Sequence, residues 1–184
     1  MPTLDNGIAI GETITAHNST AAADVPAVFK NGPRVVTGVT VHHWGSDGQR
    51  FDDVVRYLAS NNDRQNSAHF VLQEDRVECI VNTYDAAWHA GHPLGNTITI
   101  GIECRPEMTA GDRATLASLI RWLEGVYGEL VVYKHSDWQN TACPGRYAGQ
   151  IDALVAAINN VTAAPAPPVK VPAGAPAHDC CCHD

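Results

Sequence analysis

Lys134-His135-Ser136-Asp137-Trp138-Gln139-Asn140-Thr141-Ala142-Cys143-Pro144-Gly145 is the stretch on which the reading of this chain turns. The apolar run Leu130 to Tyr133 leads into it and predicts a buried strand that delivers His135 at its end. A polar loop then carries the chain to Cys143, and Pro144-Gly145 turns it away. A His and a Cys at the two mouths of a short loop can converge on one metal ion, because imidazole and thiolate are the commonest zinc ligand types. Two ligands need a third. The best source is the pair His42-His43, which follows another β-branched run, Val35 to Val41. Taken singly, a strand-end His is usually a hydrogen-bonded residue, and a Cys before Pro is usually a small buried hydrophobe. Together they form an open three-ligand set from two strand ends. That is the pattern of a catalytic zinc site, with a fourth position left for water.

A chain of 184 residues, 45% of them hydrophobic, predicts one domain with a real core plus tails. Twelve basic against twenty acidic residues give a net charge of −8, which argues against nucleic acid or an anionic membrane as partner. No stretch has the length of a transmembrane helix, so membrane insertion is not expected. Met1 to Ala16 lacks the basic start and apolar segment of a secretory signal. Of the six cysteines, Cys79 and Cys104 fall in expected strands and read as core thiols, Cys143 is the ligand candidate, and Cys180, Cys181 and Cys182 crowd the C-terminus. That usage is not a disulfide framework.

In chain order, residues 1–33 carry little pattern and read as an ordered arm, with Val25 to Phe29 able to pack on the domain edge as a strand or short turn. Val35 to Val41 has the composition of a central strand. Phe51, Val54, Val55, Leu58 and Ala59 have helical spacing behind the acidic turn Asp52-Asp53, predicting a helix over 51–61. Ser67 to Gln73 and Val77 to Val81 read as a hairpin turned at Glu74-Asp75-Arg76. A polar-aromatic loop, Asn82 to Asn96, precedes a strand from Thr97 to Glu103.

Thr109 is a plausible N-cap with Asp112 in the capping-box position. Leu116, Leu119, Ile120, Leu123 and Val126 then form an apolar helix face that ends at Gly128. A last helix over 147–160 turns Ile151, Leu154, Val155 and Ile158 inward. Strands interleaved with helices predict an α/β domain over 34–160, a central mixed sheet flanked by helices. Residues 161–184 read as a Pro/Ala-rich extended tail ending in His178-Asp179-Cys180-Cys181-Cys182-His183-Asp184, exposed and without a defined site.

Several of these pieces fall in one order. Val39-Thr40-Val41-His42-His43-Trp44, Ser67-Ala68-His69-Phe70, Trp88-His89-Ala90-Gly91, Ile100-Gly101-Ile102-Glu103, and His135 with Ala142-Cys143-Pro144-Gly145 closely resemble the zinc-dependent N-acetylmuramoyl-L-alanine amidases of type 2. That family includes bacteriophage endolysins and is related to the peptidoglycan recognition proteins. The resemblance covers roughly residues 34 to 158. It implies one Zn²⁺ per chain held by His42, His135 and Cys143, with His43 lining the site. Two neutral imidazoles and one thiolate leave a charge of about +1, enough to acidify a bound water to a pKa of ~7.

The implied reaction is hydrolysis of the amide between N-acetylmuramic acid and the L-alanine of the stem peptide. Glu103 matches the family's glutamate base. Some branches place a Tyr where this chain has Ala68 and a Lys where it has Thr141, which increases the weight on Glu103. Thr141 would donate one hydrogen bond to a developing oxyanion. Trp44, His69, Trp88, His89 and Asn96 would line the groove for sugar and stem peptide.

A non-catalytic binding module would have lost a ligand, and all three stand here. A structural zinc site wants four protein ligands, and no fourth lies near. The expected partner is bacterial peptidoglycan, met by a monomer. The expected setting is a phage endolysin made in the host cytoplasm and released through a holin pore, with a muropeptide-recycling amidase as the alternative.

Overall fold

The computed structural model describes residues 1–15 and 17–159. The first half lays down β1 (Ile10–Glu12), β2 (Ser19–Thr20), α1 (Val25–Phe29), β3 (Gly38–His43), α2 (Phe51–Leu58), β4 (Phe70–Gln73) and β5 (Arg76–Cys79). The second half adds β6 (Ala86–Ala87), α3 (Pro93–Ile98), β7 (Thr99–Cys104), α4 (Ala110–Tyr127), β8 (Val131–Lys134) and α5 (Ile151–Asn159). Six strands form one mixed sheet in the order β1-β5-β4-β7-β3-β8, while β2 and β6 pair separately. Only the β4–β5 hairpin is antiparallel within that sheet; its other pairings are parallel. The architecture is the expected α/β domain with helices on both sheet faces.

Alternation along the central strands sorts their side chains. Val39, Val41, Phe70, Leu72, Ile100 and Ile102 join one apolar cluster with Leu116, Leu119, Ile120 and Leu123 of α4 and Leu154 and Ile158 of α5. Their neighbours on β3 and β7, Thr40, His42, Thr99, Gly101 and Glu103, lie on the opposite face. A second cluster covers part of that face, where Phe51, Val54, Val55 and Leu58 of α2 meet Val71, Ala68 and Trp44. The sheet therefore has one dry face and one face that is apolar at one end and polar at the other. α4 runs between the parallel strands β7 and β8, a connection that parallel pairing requires.

Local rules account for the element ends. The Thr109 side chain accepts from the Asp112 N–H and the Asp112 carboxylate accepts from the Thr109 N–H, the expected capping box. Gly128 closes α4 with φ at 83°, where a side chain would be strained.

Other expectations need correction. Thr97-Ile98 belongs to α3, because Pro93 at its first turn starts a helix that absorbs the end of the loop before β7 begins. α2 stops at Leu58 rather than 61. β8 is an edge strand, not a buried one, and Val131 is 54% exposed. Val126 and Val155 face outward, at 43% and 36% exposure. In the N-terminal arm Val25–Phe29 forms the short helix α1 rather than a strand or turn, while β1 pairs with β5 and Leu4, Ile10 and Val25 are buried. Residues 160–184, including the proposed tail and its three cysteines, lie outside the described residues.

Candidate metal centre

β7, β3 and β8 are adjacent and parallel, so their C-terminal ends share one edge of the sheet. Open α/β sheets bind ligands outside such an edge. His42 lies opposite Glu103 in the β3–β7 register, and Val41 lies opposite Lys134 in the β3–β8 register. His135, one residue beyond Lys134, is thereby brought level with His42, and their ring centroids are 4.3 Å apart. The loop after His135 returns Cys143 to the same point. The His43 N–H donates to Cys143 Sγ at 3.4 Å, and Sγ stands 3.7 Å from His42 Nδ1. One donor atom from each of His42, His135 and Cys143 falls within 4.8 Å of the others.

The electrostatics of the cluster suit a cation. Burial, with neighbouring imidazoles adding, holds His42 well below the usual histidine range, and burial also lowers His135. Both rings are therefore neutral at pH 7, the form that binds metal. Burial pushes the Cys143 thiol up to about 12, and the Glu103 carboxylate beside it acts in the same direction. Such a thiol is no nucleophile by itself. A metal ion reverses that balance, because a coordinated thiol is deprotonated outright. The Nδ1 of His135 is buried and has no hydrogen-bond partner, as a nitrogen reserved for a metal would be. The donor set, its neutral imidazoles and this orphaned atom fit a three-ligand zinc site. His43 is not in the cluster. As the next residue on the strand it points the other way, against Gly145.

Glu103 has one carboxylate oxygen, Oε2, that is fully buried and unpartnered. Burial raises its pKa to about 7. Thr141 stands at the loop mouth, where its Oγ1 accepts from the Cys143 N–H at 3.2 Å and its hydroxyl proton stays available.

The expected groove residues fare differently. Trp44 is buried in the α2 cluster against Phe51. His69 is fully buried, with Nδ1 accepting from the Gly101 N–H and Nε2 facing the Asp85 carbonyl. Asn96 is buried too, its Oδ1 accepting from the His89 and Ala90 N–H groups. His89 is buried behind His42, with Nδ1 3.0 Å from His42 Nε2. His69, His89 and Asn96 form a buried layer behind His42, Trp44 lies apart in the α2 cluster, and none of the four offers an open surface to a substrate. Trp88 is half-buried, and its indole N–H donates to Thr20.

Two contributors carried no sequence signal. Arg34 reaches under the site and donates to the carbonyls of Thr83, Asn96, Thr97 and Thr99. Burial lowers its pKa only to about 10, so it stays charged. Gln139 sets its amide 2.6 Å from His135 Nε2. Arg34→Met should lower unfolding stability by more than ~2 kcal/mol in a denaturant melt, because it leaves several inward carbonyls without donors. A loss below ~0.5 kcal/mol would mean that water replaces the guanidinium at no cost.

Residues 31–146 match the N-acetylmuramoyl-L-alanine amidase family, a span running from before β3 to just beyond Cys143. The chain belongs to that family. It is an N-acetylmuramoyl-L-alanine amidase, a hydrolase of peptidoglycan. Among curated proteins, none matches this sequence.

Solved structures share the amidase's fold. The catalytic domain of XlyA superposes with a TM-score of 0.66 at 23% identity, over 82% of this chain and 99% of that one. A mutant endolysin from Bacillus subtilis gives 0.67 at 24% identity, again over 82% and 99%. The Staphylococcus aureus hydrolase AmiA, solved in complex with its ligand, gives 0.66 at 21% identity over 82% of each chain. At such identities the likeness bears on the fold alone. Among the described residues of the amidase, no helix is long and apolar enough to cross a membrane.

Proposed function

We propose that the amidase cleaves the bond between the lactyl carbonyl of N-acetylmuramic acid and L-alanine with one zinc ion held by His42, His135 and Cys143. The observation that carries this reading is the convergence of those three donors at one sheet edge, beside a carboxylate whose buried oxygen has no partner. Zinc bound there would polarise the scissile carbonyl and lower the pKa of water. Glu103, level with His42 in the register, takes the proton from the attacking water. The water oxygen bonds to the carbonyl carbon, the carbon–nitrogen bond breaks, and Glu103 passes the proton to the departing amine. Zinc bound beside Glu103 would offset the burial that raises its pKa and keep the carboxylate ionised to receive that proton. The Thr141 hydroxyl donates to the oxygen that gains negative charge. His42 and His135 stay neutral throughout.

A strong chelator should abolish amide cleavage, and added Zn²⁺ should restore it. Metal-free protein with full activity would end this mechanism. For the biological setting we favour a phage endolysin that lyses its host, since endolysins recur among the structures sharing the fold. The measurement is loss of turbidity of whole peptidoglycan sacculi against cleavage of soluble anhydro-muropeptides. Activity confined to the soluble substrate would make the amidase a recycling enzyme.

A further inference from the structure

We infer that His89 and Gln139 are positioning residues for the metal centre, each a neutral acceptor that fixes which nitrogen of a ligand imidazole faces the ion. This rests on the reading that His42, His135 and Cys143 hold zinc. A neutral imidazole has one N–H, so a nitrogen is free for a metal only when the other carries the proton. A buried N–H needs an acceptor. His42 is almost fully buried, with Nδ1 toward Cys143 and Nε2 3.0 Å from His89 Nδ1. His42 Nε2–H therefore donates to His89 Nδ1, which moves the His89 proton to its Nε2.

That proton in turn has an acceptor, Thr99 Oγ1 at 3.4 Å. Thr99 is free to accept because its hydroxyl donates to the Gly95 carbonyl at 2.7 Å. Its second lone pair takes the Thr40 hydroxyl at 2.8 Å, and Thr40 Oγ1 accepts from the Trp138 indole N–H at 2.9 Å. Every proton in the chain has one direction. The reverse tautomer of His42 would leave His89 and Thr99 with opposed or missing protons.

His135 repeats the device on the outer side. Its Nδ1 is the orphaned buried atom, and its Nε2 is 2.6 Å from the Gln139 amide. Within the Gln139 amide only the oxygen can accept the His135 Nε2 proton, beside the Ala90 carbonyl that also bonds the ring, and a half-turn of the amide places it there. Both acceptors occupy space that glycine leaves. A Cβ on Gly101 would collide with the His89 ring, and one on Gly91 would come within 2.6 to 2.8 Å of the Gln139 amide group. Neither acceptor is a carboxylate, so neither draws the imidazole proton toward an anion, and the ion keeps more of its charge for the substrate.

The test begins on metal-free wild-type protein, where long-range ¹H–¹⁵N spectra should show both His42 and His135 protonated at Nε2. Gln139 is exposed, so Gln139→Leu should fold with an unchanged Tm. That variant should lose the fixed tautomer of His135 and bind zinc ~10- to 100-fold more weakly in chelator competition, the usual cost of removing such a partner. Gln139→Glu, which keeps an acceptor, should bind at least as tightly as wild type. His89→Asn should likewise hold zinc better than His89→Leu. Wild-type protein that binds no zinc would overturn the zinc reading and this inference with it. Equal zinc affinity in wild type and Gln139→Leu, with the His135 tautomer unchanged, would overturn this inference alone.

Discussion

Glu103→Gln is expected to cut turnover by ~10²- to 10⁴-fold while zinc content and substrate affinity stay close to wild type. Glutamine keeps the size of the side chain but cannot accept a proton. The site offers no ready substitute. His69 and His89, the other imidazoles near the centre, have both ring nitrogens facing hydrogen-bond partners and lie beneath the surface. The same variant has a second signature in metal-free protein. Burial raises the folded pKa of Glu103 from 4.5 to about 7. Between those values the folded chain binds a proton that the unfolded chain has released, so stability falls as pH rises through that window. Glu103→Gln should remove that slope and stabilise the metal-free chain at pH 8, by up to ~3 kcal/mol. A folded, zinc-loaded Gln variant turning over within a few-fold of wild type would remove Glu103 from the mechanism. A flat stability profile in wild type would show that its carboxylate is better solvated than its surroundings indicate.

His42→Ala is expected to take zinc from one per chain to none and activity to the metal-free level, whereas His43→Ala should keep both largely intact. The two residues are neighbours in sequence with opposite orientations on β3. His42 faces His135 and Cys143, and His43 faces Gly145. Metal analysis of both variants, run beside a cleavage assay, checks the assignment. Zinc retained in His42→Ala and lost in His43→Ala would place the metal on the other side of the strand.

The two central strands were legible because burial on one face and chemistry on the other follow the same alternation. Val39 and Val41 announce β3, and His42 is the residue where its pattern meets the sheet edge. Order and residue type pointed to His135, Cys143 and one of the pair His42-His43; the choice of His42 came from the family resemblance, and the structure places its ring with the other two donors. What lay beyond sequence was depth. His69 and Asn96 lie behind His42, held by buried hydrogen bonds, and Trp44 packs into the α2 cluster, so none of them lines an open groove. Arg34 and Gln139 act through geometry that no spacing encodes: one by meeting carbonyls from a distant loop, the other by ending beside a ring four residues earlier. Thr97-Ile98 misled because β-branched residues are at home in a strand, and a helix begun at Pro93 overrode them.

The pairing of β1 with β5 has a consequence for how the chain is trimmed and made. Ile10 pairs with Val77, and residues 1–33 lie almost wholly before the span that defines the family. Cutting at 33 would uncover the backbone of β5 and empty the places of Leu4 and Ile10, giving an aggregation-prone border instead of a minimal enzyme. On the ribosome the same strand emerges early and waits unpaired until the hairpin that receives it has been synthesised. Its three-residue length keeps that exposed interval short in ladder, if not in time.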